Sequence, residues 1–282
     1  MKTPDMTNEE TTMTTTTSIP PGMPSTAPSP SRRAWIVAGS LFCVIALGYG
    51  VLGVVDLLSF DRGHFERTFS EPIKTLQISN GAGSVVVQGD SAGTVIVDGS
   101  TRRGLRAPNH RETVSGDRLT LDADCPSFLT DFCNLSYTVH VPPGVDVVIR
   151  ASGGAVRLVD LTGTVDASSS GGSVRVTGAS GALKLRSSGG SITGDGLQSA
   201  SVDASSSGGG VKLTFAAPPT SVVANSSGGG VTVELPNTTD AYLLHASSSG
   251  GSVSTPVRTD PTSARVIDAH SSGGGVTVRY PK

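Results

Sequence analysis

The sequence contains few aromatic residues, few charges and few cysteines. Aromatic residues make up 4% of the 282 residues and charged residues 16%, with a net charge of −2. A chain this close to neutrality has no overall field that attracts nucleic acid, and we expect no nucleic-acid partner. Scarce aromatic residues together with 36 glycines indicate either disorder or a repeat fold whose corners need small residues.

Three cysteines are too few for a cysteine-rich metal site. Cys43 lies in an apolar run, whereas Cys125 and Cys133 lie in a short polar stretch. A pair without further nearby ligands suits zinc poorly, and we predict no metal-ligating residues and no cofactor. If this stretch lies outside the cytoplasm, the pair is expected to form a disulfide. Two free thiols are the alternative.

The N-terminal segment, residues 1–33, is rich in Thr, Pro and Ser and has no apolar periodicity. Such a segment cannot bury enough apolar surface to offset the entropy lost on ordering. We therefore predict a disordered cytoplasmic tail.

Residues 34–55 form a run of 22 residues without a charge. A helix of that length covers the hydrocarbon core of a bilayer. Arg32 and Arg33 precede the run, and Asp56 and Asp61 follow it, so the positive-inside rule places the N-terminus in the cytoplasm. These features predict a single-pass protein of the cell membrane with a transmembrane helix and an extracytoplasmic β domain. A cleaved signal peptide is the alternative interpretation.

An SSGG-type motif recurs seven times in the rest of the chain, and a degenerate copy starts at Asn80. Its first glycines are 18 to 23 residues apart. They are Gly153, Gly171, Gly189, Gly208, Gly228, Gly250 and Gly273. A short and nearly fixed period is typical of stacked repeat architectures.

The segments that flank each motif alternate between apolar and polar residues. Three residues after the first glycine stand Val156, Val174, Ile192, Val211, Val231, Val253 and Val276. Four residues before it stand Ala167, Leu185, Ala204, Ala224, Ala246 and Ala269. A period of two is typical of strands with one buried face. We therefore predict an all-β fold, a β-solenoid-like stack of short two-strand coils, with an antiparallel β-sandwich as the alternative.

The β region is less regular in residues 64–150 than in residues 151–282. The stretch from about residue 102 to residue 134 breaks the period and carries the cysteine pair. Open β-stacks need protection against edge-to-edge association, and we interpret this part as a cap on the N-terminal end. Residues 64–150 are accordingly assigned to an irregular β cap with the first coils, and residues 151–282 to the SSGG β-repeat domain.

The SSGG-punctuated strands, with the lead-in VPPGVDVVIRAS at residues 141–152, resemble a known bacterial group. It is the putative-adhesin family of tandem β-strand repeat domains, and the resemblance covers roughly residues 70–280. The resemblance implies a cell-envelope protein, often carried behind one transmembrane helix, and it brings no catalytic residues.

No catalytic site is predicted, and we do not expect an enzyme. Residues 89–93 match the pattern G-x-S-x-G, which in hydrolases requires a strand, a sharp turn and a helix. Val-rich segments precede and follow these residues, so a hairpin turn is expected there. The five histidines form no metal-spaced pair and are interpreted as surface residues.

Arg157, Arg175 and Lys212 occupy the same outward position in three repeats. Stacking brings such residues close together, and we expect a face that binds an anionic polymer. A solvated face without a ligand is the alternative.

Two hypotheses for function follow. The first is a surface interaction or scaffold module, adhesin-like, that binds a cell-wall glycopolymer, a surface protein or a second copy of itself. The alternative is an envelope-stress sensor or regulatory membrane protein, with the β stack as the sensor and the N-terminal tail as the output. The sequence leaves the ligand and the oligomeric state open.

Overall fold

The computed structural model describes residues 32–58, 61–103, 109–124 and 134–281. The chain divides into two units between Leu52 and Gly53. The expected disulfide between Cys125 and Cys133 lies outside the described residues.

Helix α1 spans Arg32–Leu58, and its residues up to Leu52 belong to the first unit. A helix that crosses a bilayer needs about 20 consecutive, mostly apolar residues. Within the described part of the chain, no helix meets the requirements of length and apolarity together. The transmembrane helix expected over residues 34–55 is therefore wrong, and the fold class of the described residues is corrected to an all-β fold of parallel stacked strands.

The second unit consists of 21 strands in the described ranges. They are β1 (Asp61–Phe69), β2 (Thr75–Asn80), β3 (Val85–Gly89), β4 (Val95–Arg103), β5 (Asn109–Ser115), β6 (Arg118–Asp124), β7 (Asn134–Val141), β8 (Asp146–Ala151), β9 (Val156–Val159), β10 (Val165–Ser169), β11 (Val174–Thr177), β12 (Leu183–Ser187), β13 (Ile192–Leu197), β14 (Ser201–Ser206), β15 (Val211–Phe215), β16 (Ser221–Ser226), β17 (Val231–Glu234), β18 (Leu243–Ser248), β19 (Val253–Ser254), β20 (Val266–Ser271) and β21 (Val276–Arg279).

The strands form two sheets. Sheet A has 11 strands in the order β1-β4-β7-β3-β9-β11-β13-β15-β17-β21-β19, and sheet B has 10 in the order β18-β20-β16-β14-β12-β10-β8-β2-β6-β5. Pairing is antiparallel at β1–β4, β4–β7 and β5–β6 and parallel along the remainder of each described sheet. One strand of sheet B, an SSGG corner and one strand of sheet A together make a unit that we call a rung.

The rungs do not stack in sequence order at the two ends. The β2–β3 rung lies between the β6–β7 and β8–β9 strands, and the β20–β21 rung lies between β16–β17 and β18–β19. The last repeat of the chain is therefore inside the stack, and the repeat before it forms the end. The same rearrangement places β7 between β3 and β4, so the hairpin expected at residues 89–93 is wrong.

A single apolar core runs between the two sheets. The residues three positions after the first glycines form one inward column. Six of its members are at most 2% exposed: Val156, Val174, Ile192, Val211, Val231 and Val276. Burying a Val or Leu side chain contributes roughly 1.5–3 kcal/mol. Because every interior rung adds several such side chains, the core grows with the number of rungs.

The SSGG corners contain a buried column of serines. Its fully interior members are Ser169, Ser187, Ser206, Ser226 and Ser271. In each case the hydroxyl donates to a glycine carbonyl of the preceding rung and accepts from an N–H of its own corner. Ser206 Oγ, for example, donates to the Gly190 carbonyl at 2.8 Å and accepts from Gly209 N at 3.1 Å. The column satisfies backbone groups that the tight corner would otherwise leave unpaired.

The second glycine of each corner is required by the close approach of neighbouring rungs. A Cβ added to Gly190 would lie 2.5 Å from the Gly172 carbonyl carbon and 2.6 Å from Ser173 N. Backbone atoms of a paired strand cannot move aside without breaking the ladder. The corner therefore excludes every residue with a Cβ at this position, independently of φ.

Candidate interaction faces

The three cations singled out in the sequence lie in one outward column of sheet A. Arg157 on β9 pairs by Cα register with Arg175 on β11, Arg175 pairs with Thr193 on β13, and Thr193 pairs with Lys212 on β15. Neighbouring strands are about 4.8 Å apart, so three steps place the cations within about 14 Å along the stack axis. The side chains of Arg157, Arg175 and Lys212 are exposed.

Where the structure describes the chain, none of these three cations forms a close ion pair. Among the described residues, the ion pairs with an N–O distance within 4.0 Å involve none of the three. The column continues from Lys212 through Thr232 to Thr277, and these threonines carry hydroxyls that can donate hydrogen bonds. The column thus combines exposed positive charge with neutral donors, and we call it the sheet A ladder.

The neighbouring outward column of sheet A holds two acidic residues, Asp195 and Glu234, and Glu234 is already paired. Arg279 on β21 donates through Nε to Glu234 Oε1 at 3.1 Å. The hydrogen bond from Arg279 lowers the pKa of Glu234 below its usual value, partial burial opposes this, and the charge of Lys212 adds a smaller lowering. Glu234 is therefore ionised at neutral pH and lies close enough to Lys212 for an electrostatic interaction.

Sheet B presents a different outward face. Arg150 contacts Asp166 through two hydrogen bonds of 3.0 and 3.1 Å, and Arg186 Nη2 lies 3.5 Å from Asp203 Oδ2. Lys184 pairs by Cα register with Asp166 on one side and with Asp203 on the other. Opposite charges alternate along this face, so it offers a polyanion little unbalanced positive charge.

The sequence did not indicate the ion pairs of sheet B or the Glu234–Arg279 pair. Their members are 16 to 45 residues apart and become neighbours only through the rung order. The burial of the serines could have been predicted from the sequence. They lie two residues after the inward Ala column, and the same period of two places them inward.

Among the described residues, no group of three or more His, Cys, Asp or Glu side chains could hold a metal ion. His270 Nδ1 lies 2.8 Å from Ser247 Oγ on an exposed strand surface. Burial, followed by the charges of Glu112 and Asp122, raises the pKa of the Tyr137 phenol, which keeps it neutral.

Solved structures that are similar to this chain include the following three. A putative cell adhesion protein from Clostridium sporogenes is 11% identical, with a TM-score of 0.38, and the match covers 78% of this chain and 100% of that one. A putative adhesin from Bacteroides fragilis is 17% identical, with a TM-score of 0.40, and the match covers 78% of this chain and 97% of that one. A putative adhesin from Parabacteroides merdae is 11% identical, with a TM-score of 0.34, and the match covers 79% of this chain and 97% of that one. Among curated proteins, none matches this sequence.

A family model described as Toastrack DUF4097 matches residues 73–279. This range contains the SSGG repeats and the lead-in at residues 141–152 on which the resemblance to tandem β-strand repeat domains was based, so the resemblance is confirmed. Because the match covers well over half of the sequence, the chain belongs to the Toastrack DUF4097 family.

Proposed function

We propose that the β unit is a non-catalytic, adhesin-like module of the cell envelope that binds an anionic glycopolymer through the sheet A ladder. The observation that carries the proposal is the alignment of Arg157, Arg175 and Lys212 in one exposed column. A linear polymer with regularly spaced phosphates or carboxylates would lie along the stack axis and meet the cations in turn.

The expected binding is weak at each contact and depends on their number. An exposed pair of opposite charges contributes roughly 0.2–1 kcal/mol, and salt screens it over a Debye length of about 8 Å at physiological ionic strength. The binding free energies of several contacts with one polymer add, because after the first contact the others form within the same complex. Binding should therefore fall steeply as salt is added.

Three further expectations stay predictions: a surface protein as the ligand, an extracytoplasmic position of the β unit, and a role in envelope-stress sensing. No contact of the described residues favours sensing over polymer binding.

The test is co-sedimentation of the purified full chain with cell-wall fractions that retain their anionic polymers or have been stripped of them. We expect retention on the intact fraction at low salt, and loss of retention at high salt or after stripping. The variant Arg157→Glu, Arg175→Glu, Lys212→Glu should not be retained.

The matched control changes three exposed cations of sheet B by the same total charge: Arg150→Glu, Lys184→Glu, Arg186→Glu. We expect this control to be retained more strongly than the sheet A variant. Equal loss in both variants would mean that only net charge matters. Equal retention of both would contradict a role for the sheet A ladder.

A further inference from the structure

The outward face of sheet A carries acids on its first two strands and cations on its fifth and sixth. One outward column crosses the strands β1, β4, β7, β3, β9 and β11, which are neighbours in that order. It contains Glu66, Asp98, Thr138, Val86, Arg157 and Arg175. We call these six positions the charge column, and its two arginines belong also to the sheet A ladder. Along the stack axis, two acidic positions are followed by two neutral and then two cationic ones.

Neighbouring charges within the charge column have the same sign. Glu66 pairs by Cα register with Asp98, and Arg157 pairs with Arg175. Like charges opposite one another on paired strands are destabilising. Among the ion pairs of the described residues, one involves the column, between Asp98 Oδ1 and Nε2 of the exposed His64 at 3.9 Å. Opposite charges brought by another molecule would therefore stabilise both the acidic pair and the cationic pair.

We propose that sheet A of one chain packs face to face on sheet A of a second copy, about a two-fold axis that runs parallel to the strands and passes between β7 and β3. The rotation reverses the order of the charge column, so the acids of one copy face the cations of the other. Glu66 then faces Arg175 of the second copy, and Asp98 faces Arg157. The two-fold axis repeats both contacts, which gives four pairs of opposite charge and leaves no like charges facing each other within the column.

The next outward column of the same six strands fits the same axis. It contains Thr68, Ile96, His140, Gln88, Val159 and Thr177. The two-fold axis places Ile96 against Val159 of the second copy, and both side chains are half-buried in a single chain. It also places His140 against Gln88, whose amide can donate and accept hydrogen bonds, and it brings the two threonines together. The fit is therefore not limited to the charges.

A second copy fits this face because the chain itself supplies the complementary pattern of charge. An anionic polymer can neutralise the cations of the column but is repelled by the acids, and a cationic polymer meets the opposite problem. Sheet B does not supply the complement, since its opposite charges already pair with one another. A two-fold contact uses the same surface on both copies and closes on itself, so it yields a dimer and not a fibre.

The predicted contact is small. Six strands spaced about 4.8 Å apart, with about five residues each at about 3.3 Å per residue, make a footprint on the order of 400 Å². A standard stable interface buries roughly 800 Å² per partner, and salt screens exposed ion pairs. The dimer should therefore be weak, depend on protein concentration and dissociate at high salt.

The dimer would cover two of the three cations that we propose to bind a polymer. Arg157 and Arg175 would be shared, so polymer and second copy would compete for them, whereas Lys212 lies on β15, beyond the contact. Dimerisation does not require polymer binding, and no polymer is present in the experiment that tests it. Failure of either proposal therefore leaves the other standing.

Sedimentation equilibrium of the full chain under reducing conditions tests the proposal. At low salt we expect the mass to rise with concentration from the 28.5 kDa of one chain towards twice that value, and at high salt to return to one chain. Two variants reverse the charges of the column. The acid variant is Glu66→Arg, Asp98→Arg, and the cation variant is Arg157→Glu, Arg175→Glu. Each alone should dimerise at least tenfold more weakly, because like charges then face each other.

An equimolar mixture of the acid variant and the cation variant tests the geometry directly. One chain then presents four cations in the column and the other four acids, and we expect a heterodimer about as stable as the dimer of the unmodified chain. The matched control, Glu71→Arg, Asp268→Arg, changes the net charge as the acid variant does, at exposed positions outside this face. It should dimerise like the unmodified chain, and it should form no such heterodimer with the cation variant.

A chain that stays monomeric at low salt would overturn the proposal, and so would a dimer of unchanged strength in either charge-reversed variant. A mixture of the two variants that forms no heterodimer would contradict the face-to-face arrangement. If the acid variant does not fold, Glu66→Gln, Asp98→Asn replaces it. This milder change should still weaken dimerisation several-fold, and an undiminished dimer would then reject the contact.

Discussion

The inward and outward sides of a rung differ in how strictly the sequence repeats. Three residues after the first glycine, the inward residue is Val or Ile in every rung, and these residues pair with one another from β9 to β21. One residue further on, the outward position changes from Arg157 and Arg175 to Thr193, Lys212 and Thr232. The repeated inner positions determine the stack, while the variable outer positions determine what each face can bind.

The largest effect on stability is expected from a substitution on the inner side of a corner. Gly190→Ala places a Cβ 2.5 Å from the Gly172 carbonyl carbon, and overpacking of this kind costs about 3 kcal/mol. We expect a clear drop in the free energy of unfolding, measured by chemical denaturation.

Gly93→Ala is the matched control for this substitution, because a Cβ there meets nothing within 4 Å. It should change stability by no more than about 0.5 kcal/mol. Equal stability of both variants would contradict the close approach of neighbouring corners.

A smaller effect is expected from the buried serine column. Ser206→Ala removes the donor to the Gly190 carbonyl and the acceptor for Gly209 N. Leaving buried backbone groups unpaired costs roughly 1–3 kcal/mol. Ser207→Ala, one residue away and exposed, should be close to neutral in the same denaturation experiment. If the two variants were equally stable, the serine column would not contribute to stability.

The Glu234–Arg279 pair on the outer side should produce a small pH-dependent effect. Because the folded-state pKa of Glu234 is lowered, its contribution is present above the unfolded-state value of about 4.5 and is lost as the pH falls through the folded pKa. Glu234→Gln should be slightly less stable than the unmodified chain at about pH 7. The difference should shrink as the pH is lowered below about 4.5; a difference that grew on acidification would contradict this assignment.

The smallest effect on stability is expected from the sheet A ladder itself. Arg157, Arg175 and Lys212 are exposed, and surface substitutions away from special features change stability by no more than about 0.5 kcal/mol each. Arg157→Glu, Arg175→Glu, Lys212→Glu should therefore unfold at nearly the same denaturant concentration as the unmodified chain. A large destabilisation would show that these residues belong to the structure and would make their loss of binding uninformative.

The sequence predicted the strands and inward columns of residues 151–282, because apolar alternation and SSGG corners are local signals. It did not predict the exchange of β18–β19 with β20–β21. The repeat spacings of 22 and 23 residues near the end differ little from those of 18 to 20 before it, and the stacking order depends on which rungs pair over long range. The transmembrane helix was wrongly predicted from the length of the uncharged run and the charges on either side of it.

The candidate site was predicted in part. The positions of Arg157, Arg175 and Lys212 in one column followed from the repeat register. The neutralisation of sheet B did not follow from it, because Arg150 on β8 and Asp166 on β10 become neighbours only when these two strands pair. Counting the charges on each face without this register does not show that the charges of sheet B are paired with one another.

The most direct test of the proposed function is the affinity for a purified anionic cell-wall polymer as a function of salt concentration. Isothermal titration would compare the unmodified chain with the sheet A and sheet B triple variants. We predict measurable binding that falls with salt for the unmodified chain, weaker binding for the sheet B variant and none for the sheet A variant. Binding that is insensitive to salt, or equal in the two triple variants, would contradict a polyanion-binding face on sheet A.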